Sequence, residues 1–262
     1  MSISQNVGLN ASNQSDDVTV IQALLNLNLP LMPGVPFMTE DGVLGPHSLA
    51  VIQQFQSLVA TPGAASGVID PGGVTLAALR AAVNGQFGSN LLRLLMPLSS
   101  QEQADNFAAS LVACMNANQI NTALRQAHFL AQLGHESGSL RFTAELANGA
   151  AYEGRSDLGN TQPGDGPRFK GRGLIQITGR TNYTNYGNDR GRDYATGLNP
   201  NLLATDPGVA ADCSGWFWAT RRLNELADND DLLTITKRIN GGTNGLEDRA
   251  RRLKLAKCLL IA

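Results

Sequence analysis

Ala127-His128-Phe129-Leu130-Ala131-Gln132-Leu133-Gly134-His135-Glu136-Ser137-Gly138 closes a helix on a carboxylate, and the rest of the chain is read outward from it. Asn121 or Thr122 is a candidate N-cap, which sets a helix running to Gly134 before the chain turns. Glu136 then sits at the negative end of the helix dipole. Partial burial there raises a glutamate's hold on its proton, as a general acid requires. The preceding segment, Ser100 to Asn116, puts Phe107, Leu111, Cys114 and Met115 on one apolar face and is expected to be helical.

Nine residues beyond Glu136 stands Glu145. After Glu153 and a polar, Gly-rich stretch that includes Gln162-Pro163-Gly164-Asp165-Gly166, the chain reads Phe169-Lys170-Gly171-Arg172-Gly173-Leu174-Ile175-Gln176-Ile177-Thr178-Gly179-Arg180. Two carboxyl groups suffice to hydrolyse a glycosidic bond: one protonates the leaving oxygen, and the other attacks carbon or activates water. Spacing alone reads Glu136, Glu145 and Glu153 as solvated glutamates, and Gln176 and Thr178 as ordinary strand or turn residues. All four tyrosines and both tryptophans lie in residues 86–262, where rings could stack on sugars, although Trp216-Phe217-Trp218 reads as helix core.

The assembly outweighs its pieces. Residues 127–138, Glu145, Lys170 to Tyr183 and Ile239-Asn240-Gly241-Gly242 together resemble the family-19 glycoside hydrolases, which include chitinases and the lysozyme-like endolysins of bacteriophages. The resemblance spans about residues 100–258. It implies Glu136 as catalytic acid, Glu145 as the base that activates water for inverting hydrolysis, and Thr178 as the hydroxyl that orients this water. It also implies Gln176, Asn182 and Asn240 along the sugar cleft, with His135, Arg172 and Tyr183 as further substrate contacts; Arg249 matches less well. His135 reads equally as a donor beside the acid or as a satisfied polar residue at the helix end. Plant members place the second glutamate farther away in a longer insertion, which leaves Glu153 as rival to Glu145.

Other chemistries fit poorly. GxxxxGK[ST] is absent and no GxGxxG fits the Gly-Arg-Gly run, which argues against nucleotide binding. His135-Glu136 lacks the second histidine of HExxH, since residue 139 is serine. Cys114, Cys213 and Cys258 are far apart and odd in number, so free buried thiols are expected, with no metal and no cofactor. A formal charge of −2 gives no pull toward nucleic acid. No apolar run reaches the roughly 18 residues of a membrane span, so no membrane insertion is expected. The opening Met1 to Asn10 has no basic region followed by an apolar stretch, and no secretory signal is read there.

Charge divides the chain of 262 residues: positions 1–85 hold five acids and one base, while the remainder carries a net charge of +2. In the first part, Val18, Ile21, Leu24 and Leu25 fall at helical spacing with Ser15 as N-cap. Pro46 opens a second helix with Leu49, Ile52, Phe55 and Leu58 on one stripe and His47 on its surface. A third runs from about Gly73 to Val83. Asp17-Val18, Ile21-Gln22, Leu25-Asn26, Asp41 to Gly45, Phe55-Gln56 and Gly67 to Asp70, in that order, resemble the three-helix peptidoglycan-binding domain. This part has no Tyr or Trp to mark a ligand groove.

The expected fold is mainly α: an N-terminal three-helix bundle (1–85), a connection (86–97) in which the run from Leu91 to Met96 reads as a docking helix turn, and a lysozyme-like, predominantly helical catalytic domain (98–262). The resemblances imply a monomeric endolysin-type muramidase that cleaves bacterial peptidoglycan, held in a host cytoplasm until a separate protein opens the membrane. A chitinase with a wall-binding module and an injected antibacterial effector are the alternatives.

Overall fold

The computed structural model describes residues 3–81 and 87–261. The N-terminal unit comprises β1 (Val7–Gly8), α1 (Ser15–Leu27), α2 (Pro46–Phe55), β2 (Val68–Ile69) and α3 (Val74–Ala81). The two strands pair antiparallel, Val7 opposite Ile69 and Gly8 opposite Val68. Ile21, Leu24, Leu25, Ile52, Phe55 and Leu79 fill the space between the helices. Three short helices cannot shield their long connections, so buried side-chain amides satisfy the loop backbone. Asn26 both donates to the Met38 carbonyl and accepts from the Met38 N–H; Gln22 accepts from Gly42 N–H, and Gln56 from Gly67 N–H. The polar half of each sequence pair in this unit is therefore a loop clamp.

Three details differ from the sequence expectation. Ser15 is the first residue of α1 and not its cap; Gln14 precedes it without a side-chain cap, and in the first turn Asp17 is instead buried, accepting from Ser4 and Gln5. Leu58 is exposed because α2 widens into a π-turn over Gln56–Ala60, which rotates the apolar stripe. The third helix begins at Val74, and Val83 lies outside the described residues.

The C-terminal unit is built from α4 (Ser89–Leu95), α5 (Gln101–Ala117), α6 (Ala123–Glu136), α7 (Asp165–Arg168), α8 (Arg180–Arg190), α9 (Leu202–Thr205), α10 (Pro207–Thr220), α11 (Leu223–Asp228), α12 (Leu232–Asn240) and α13 (Leu246–Leu260). Ser100 and Gln103 form a reciprocal capping box at α5, and the Thr122 hydroxyl caps α6. Two helix pairs make the frame, α6 along α13 and α5 along α10. The Phe129 and Trp218 rings meet edge to face at 5.3 Å in the core. Cys114, Cys213 and Cys258 are free and buried. Of the tyrosines expected near sugar, Tyr183, Tyr186 and Tyr194 are buried. No helix among the described residues is long and apolar enough to cross a membrane.

The connection expected over residues 86–97 carries a packed helix. Residues 85 and 86 lie outside the described part, but Leu91, Leu92, Leu94 and Leu95 of α4 and the following Met96 are all buried. Each such side chain contributes about 1.5–3 kcal/mol when removed from water, far more than a freely swinging linker could forgo. Helix α1 packs on α13, and Lys254 reaches Asp17 at 3.1 Å and Asp16 at 3.4 Å. The N-terminal unit is thereby seated against the helix that also braces α6.

The same region holds a pH-sensitive group. Burial pushes the Glu40 carboxyl up to about 7, against the opposing hydrogen bond from Asn26 and the Arg93 charge. Between the ordinary value of 4.5 and this one, the folded state binds more protons than the unfolded chain, so stability falls as pH rises through that window. A loss on the order of 2 kcal/mol is expected between pH 5 and pH 8. Glu40→Gln should flatten this slope and raise the melting temperature at pH 8; denaturant titrations of both proteins at the two pH values measure it.

Candidate active site

Glu136 is the last residue of α6, held from across the α6–α13 seam. Arg249 of α13, almost wholly buried, donates through Nη2 to Glu136 Oε1 at 2.5 Å, through Nη1 to Gln132 Oε1, and through Nε to the Asn244 carbonyl at 3.3 Å. Gln132 lies four residues before Glu136 and so on the same helix face, which lets one guanidinium fork engage both. The sequence considered only the helix end and burial around this acid; the structure adds a cation to its surroundings. Among the described residues Oε2 of Glu136 has no partner. It is the carboxylate oxygen left open for a further contact.

His135 faces the same seam. Its Nδ1 lies 2.8 Å from Asp248 Oδ2, which also accepts from Arg252 Nε at 2.7 Å. Burial works against the Asp248 charge, but the Arg252 and His135 hydrogen bonds outweigh it and hold that carboxyl below its usual value. The imidazole packs so closely on Gly245 (φ +70°) that a Cβ there would lie 2.0 Å from His135 Cε1. His135 thus ties α6 to α13 through Nδ1, and its Nε2 has no hydrogen bond among the described residues.

The second carboxylate is fixed by backbone pairing. Glu145 N–H donates to the Gly171 carbonyl at 2.9 Å, and Lys170 Nζ donates to the Glu145 carbonyl at 2.8 Å. Its carboxylate accepts from the Tyr152 hydroxyl (3.1 Å) and Gly171 N–H (3.2 Å). A Cβ on Gly171 would lie 3.0 Å from Gln176 Oε1, 3.3 Å from Thr178 Oγ1 and 3.4 Å from Glu145 Oε2. Three side-chain oxygens from separate positions therefore converge over one glycine, forming a cluster that can hold a water against a carboxylate base.

The rest of the motif explains that convergence. Arg172 and Ile177 exchange backbone hydrogen bonds at 3.1 and 2.9 Å around a tight loop, in which Gln176 takes a left-handed φ of 58°. Gln176 Nε2 donates to the Gly173 carbonyl, and Thr178 Oγ1 to the Gln176 carbonyl. Gly173 must be glycine for a different reason: a Cβ would lie 2.4 Å from Cys213 Sγ on α10. Between the two glycines Arg172 points inward, 7% exposed, donating to the Arg168 carbonyl, the Tyr183 hydroxyl and Asn201. Tyr183 has no exposed surface, and its hydroxyl donates to the Lys170 carbonyl. Arg172 Nη1 and Nη2 and the Tyr183 hydroxyl are thus engaged with groups inside the fold, beneath the Gly171 cluster.

Asn182 stays at the edge, half-buried, donating to the Thr178 carbonyl at 2.7 Å. Asn240 shapes the turn between α12 and α13 by donating to the Asn244 carbonyl and accepting from Gly242 N–H, and the Asn244 carbonyl in turn accepts from Arg249. Glu153 is engaged elsewhere in the loop. Its two oxygens accept from Gly164 N–H (2.6 Å) and Gly166 N–H (2.7 Å), clamping the Gly-rich loop. Tyr152, Gln132 and the convergence over Gly171 were not found from sequence; the position of Gln132, one helical turn before Glu136, was the available signal. No group of side chains suited to a metal ion occurs among the described residues.

A carboxylate at a helix end, a second beside a hydroxyl, and a mainly helical frame are the parts a glycoside hydrolase uses. The family model of class I chitinases matches residues 105–238, and the chain belongs to glycoside hydrolase family 19. A family-19 domain-containing protein of Haemophilus influenzae is 33% identical over 169 residues, covering 53% of this chain and 80% of that protein. An endochitinase of Arabidopsis thaliana is 38% identical over 116 residues, 44% of this chain and 39% of its own length. Among solved structures, chitinase C from Streptomyces griseus superposes with a TM-score of 0.55 at 21% identity, over 77% of this chain and 83% of that one. The class IV chitinase of Zea mays gives 0.52 at 23%, over 67% and 90%. These two likenesses concern the fold. Helix α13, which supplies Arg249, lies beyond the matched segment yet braces α6 within it.

Proposed function

We propose that this protein cleaves the glycan strand of bacterial peptidoglycan by inverting acid–base hydrolysis. Glu136 Oε2 gives its proton to the glycosidic oxygen as the bond from that oxygen to the anomeric carbon breaks. A water held between Thr178 and Glu145 attacks that carbon from the opposite face and passes its proton to Glu145. Solvent then resets the two carboxyl groups. The convergence of the Glu145, Thr178 and Gln176 oxygens over Gly171 carries this reading.

Peptidoglycan is favoured over chitin by the first part of the chain, whose sequence order and three-helix, two-strand arrangement fit a wall-binding module. Joining such a module to the hydrolase raises the local concentration of the catalytic site on an insoluble polymer. A monomer serves this purpose, acting from a host cytoplasm after a separate protein opens the membrane. The names of the plant relatives favour the second reading, a chitinase. Purified protein is expected to solubilise sacculi and leave new reducing N-acetylmuramic acid ends by mass spectrometry, with no cut peptides. Release from chitin oligomers alone, with sacculi intact, would replace this reading by the second.

A further inference from the structure

Helix α8 carries Asn182, Asn185 and Asn188 along one side, with Asp189 beside the last. They face a cavity of about 390 Å³ completed by Trp216 and Arg221 of the α10 end. Asn182 on its wall donates to the backbone carbonyl of Thr178, whose hydroxyl belongs to the cluster over Gly171.

Two charges in this cavity have no role in the hydrolysis. The Arg221 guanidinium lies over the Phe217 ring at 3.6 Å and, among the described residues, has neither a hydrogen bond nor an ion pair. Burial, unopposed by any counter-charge, pulls it below its ordinary pKa. A half-buried guanidinium with unsatisfied donors is costly, and a carboxylate satisfies two of them at once. Asp189 accepts from Trp216 Nε1 at 2.6 Å and keeps its other oxygen unbonded among the described residues. It repels a bare anion but attracts an ammonium group. A plain N-acetylated glycan carries neither charge; a free amino-acid end carries both on adjacent atoms.

We propose that this cavity is a subsite for the free amino-acid end of a peptidoglycan stem peptide, Arg221 taking the α-carboxylate and Asp189 the α-ammonium. The fitting chemistry is a stem ending in a diamino dicarboxylic acid such as diaminopimelate, whose far end presents both groups when not cross-linked. The assignment rests on the peptidoglycan reading and makes the subsite a determinant of substrate choice beside the cleft.

The probe is the free tripeptide L-alanyl-γ-D-glutamyl-meso-diaminopimelate, titrated into the full chain while the tryptophan indole N–H resonances are followed by NMR. Trp216 is expected to shift saturably, while Trp218, whose indole donates to Asn224 on the other side of α10, stays in place and reports an intact fold. Arg221→Met, which keeps the apolar cover over Phe217, should weaken binding at least about tenfold, and acetylating the far ammonium should do the same. On substrates, Arg221→Met should lose about tenfold on intact sacculi and nothing on amidase-stripped glycan or chitin oligomers. No shift of Trp216 in the wild type, an equal shift in Arg221→Met, or an equal loss on all three substrates overturns the proposal. If the tripeptide moves Trp216 while sacculi are not cut, the subsite stands and the assigned cleavage fails.

Discussion

Glu136→Gln is expected to lower turnover on the order of 10²- to 10⁴-fold, the range for a lost general acid. Glutamine keeps the shape of the side chain and can still accept the Arg249 hydrogen bond through its amide oxygen, so the α6–α13 seam should persist. It cannot deliver a proton to the leaving oxygen. The substitution also leaves the buried Arg249 charge without its counter-ion, and breaking such a pair costs up to about 3–5 kcal/mol when the remaining charge stays buried. A thermal melt must therefore accompany the kinetics. A variant that stays folded at the assay temperature, yet has lost activity at saturating substrate, separates chemistry from stability. Near wild-type turnover would remove Glu136 from its role.

Glu145→Gln should produce a second loss of similar size, again on the order of 10²- to 10⁴-fold, because the water over Gly171 would lose its proton acceptor. The control is Glu153→Gln. Glu153 anchors two backbone N–H groups of the Gly-rich loop, so its substitution should lower the melting temperature and spare most of kcat. The two glutamates stand eight residues apart, and Glu145 Oε2 shares the space over Gly171 with Thr178 Oγ1. Reversed outcomes, with Glu153→Gln inactive and Glu145→Gln active, would reassign the base.

Particular residues show why the setting of Glu136 was legible in the sequence and that of Glu145 and Glu153 less so. Helix α6 announces itself through Thr122, its apolar spacing and the Ser-Gly turn after Glu136, all within one short stretch. The choice between Glu145 and Glu153 depends on how a Gly-rich loop folds back on itself, and no local periodicity records that. Arg249 approaches Glu136 from 113 positions away, a separation over which no spacing rule operates. The inward direction of Arg172 follows from two neighbouring glycines with different duties, one beneath the oxygen cluster and one against Cys213. Within residues 86–97 the leucines were legible as a docking helix turn, since four apolar side chains in seven residues demand a partner surface.

The most direct test of the account follows the stereochemistry of the newly released reducing end. Soluble peptidoglycan glycan strands digested at high enzyme concentration, with proton NMR spectra taken before mutarotation, should show the α-anomer first, since water entering opposite a β-linked leaving group inverts the centre. Initial appearance of the β-anomer would mean a covalent or double-displacement route and would contradict the pairing of Glu136 as acid with Glu145 as water-activating base.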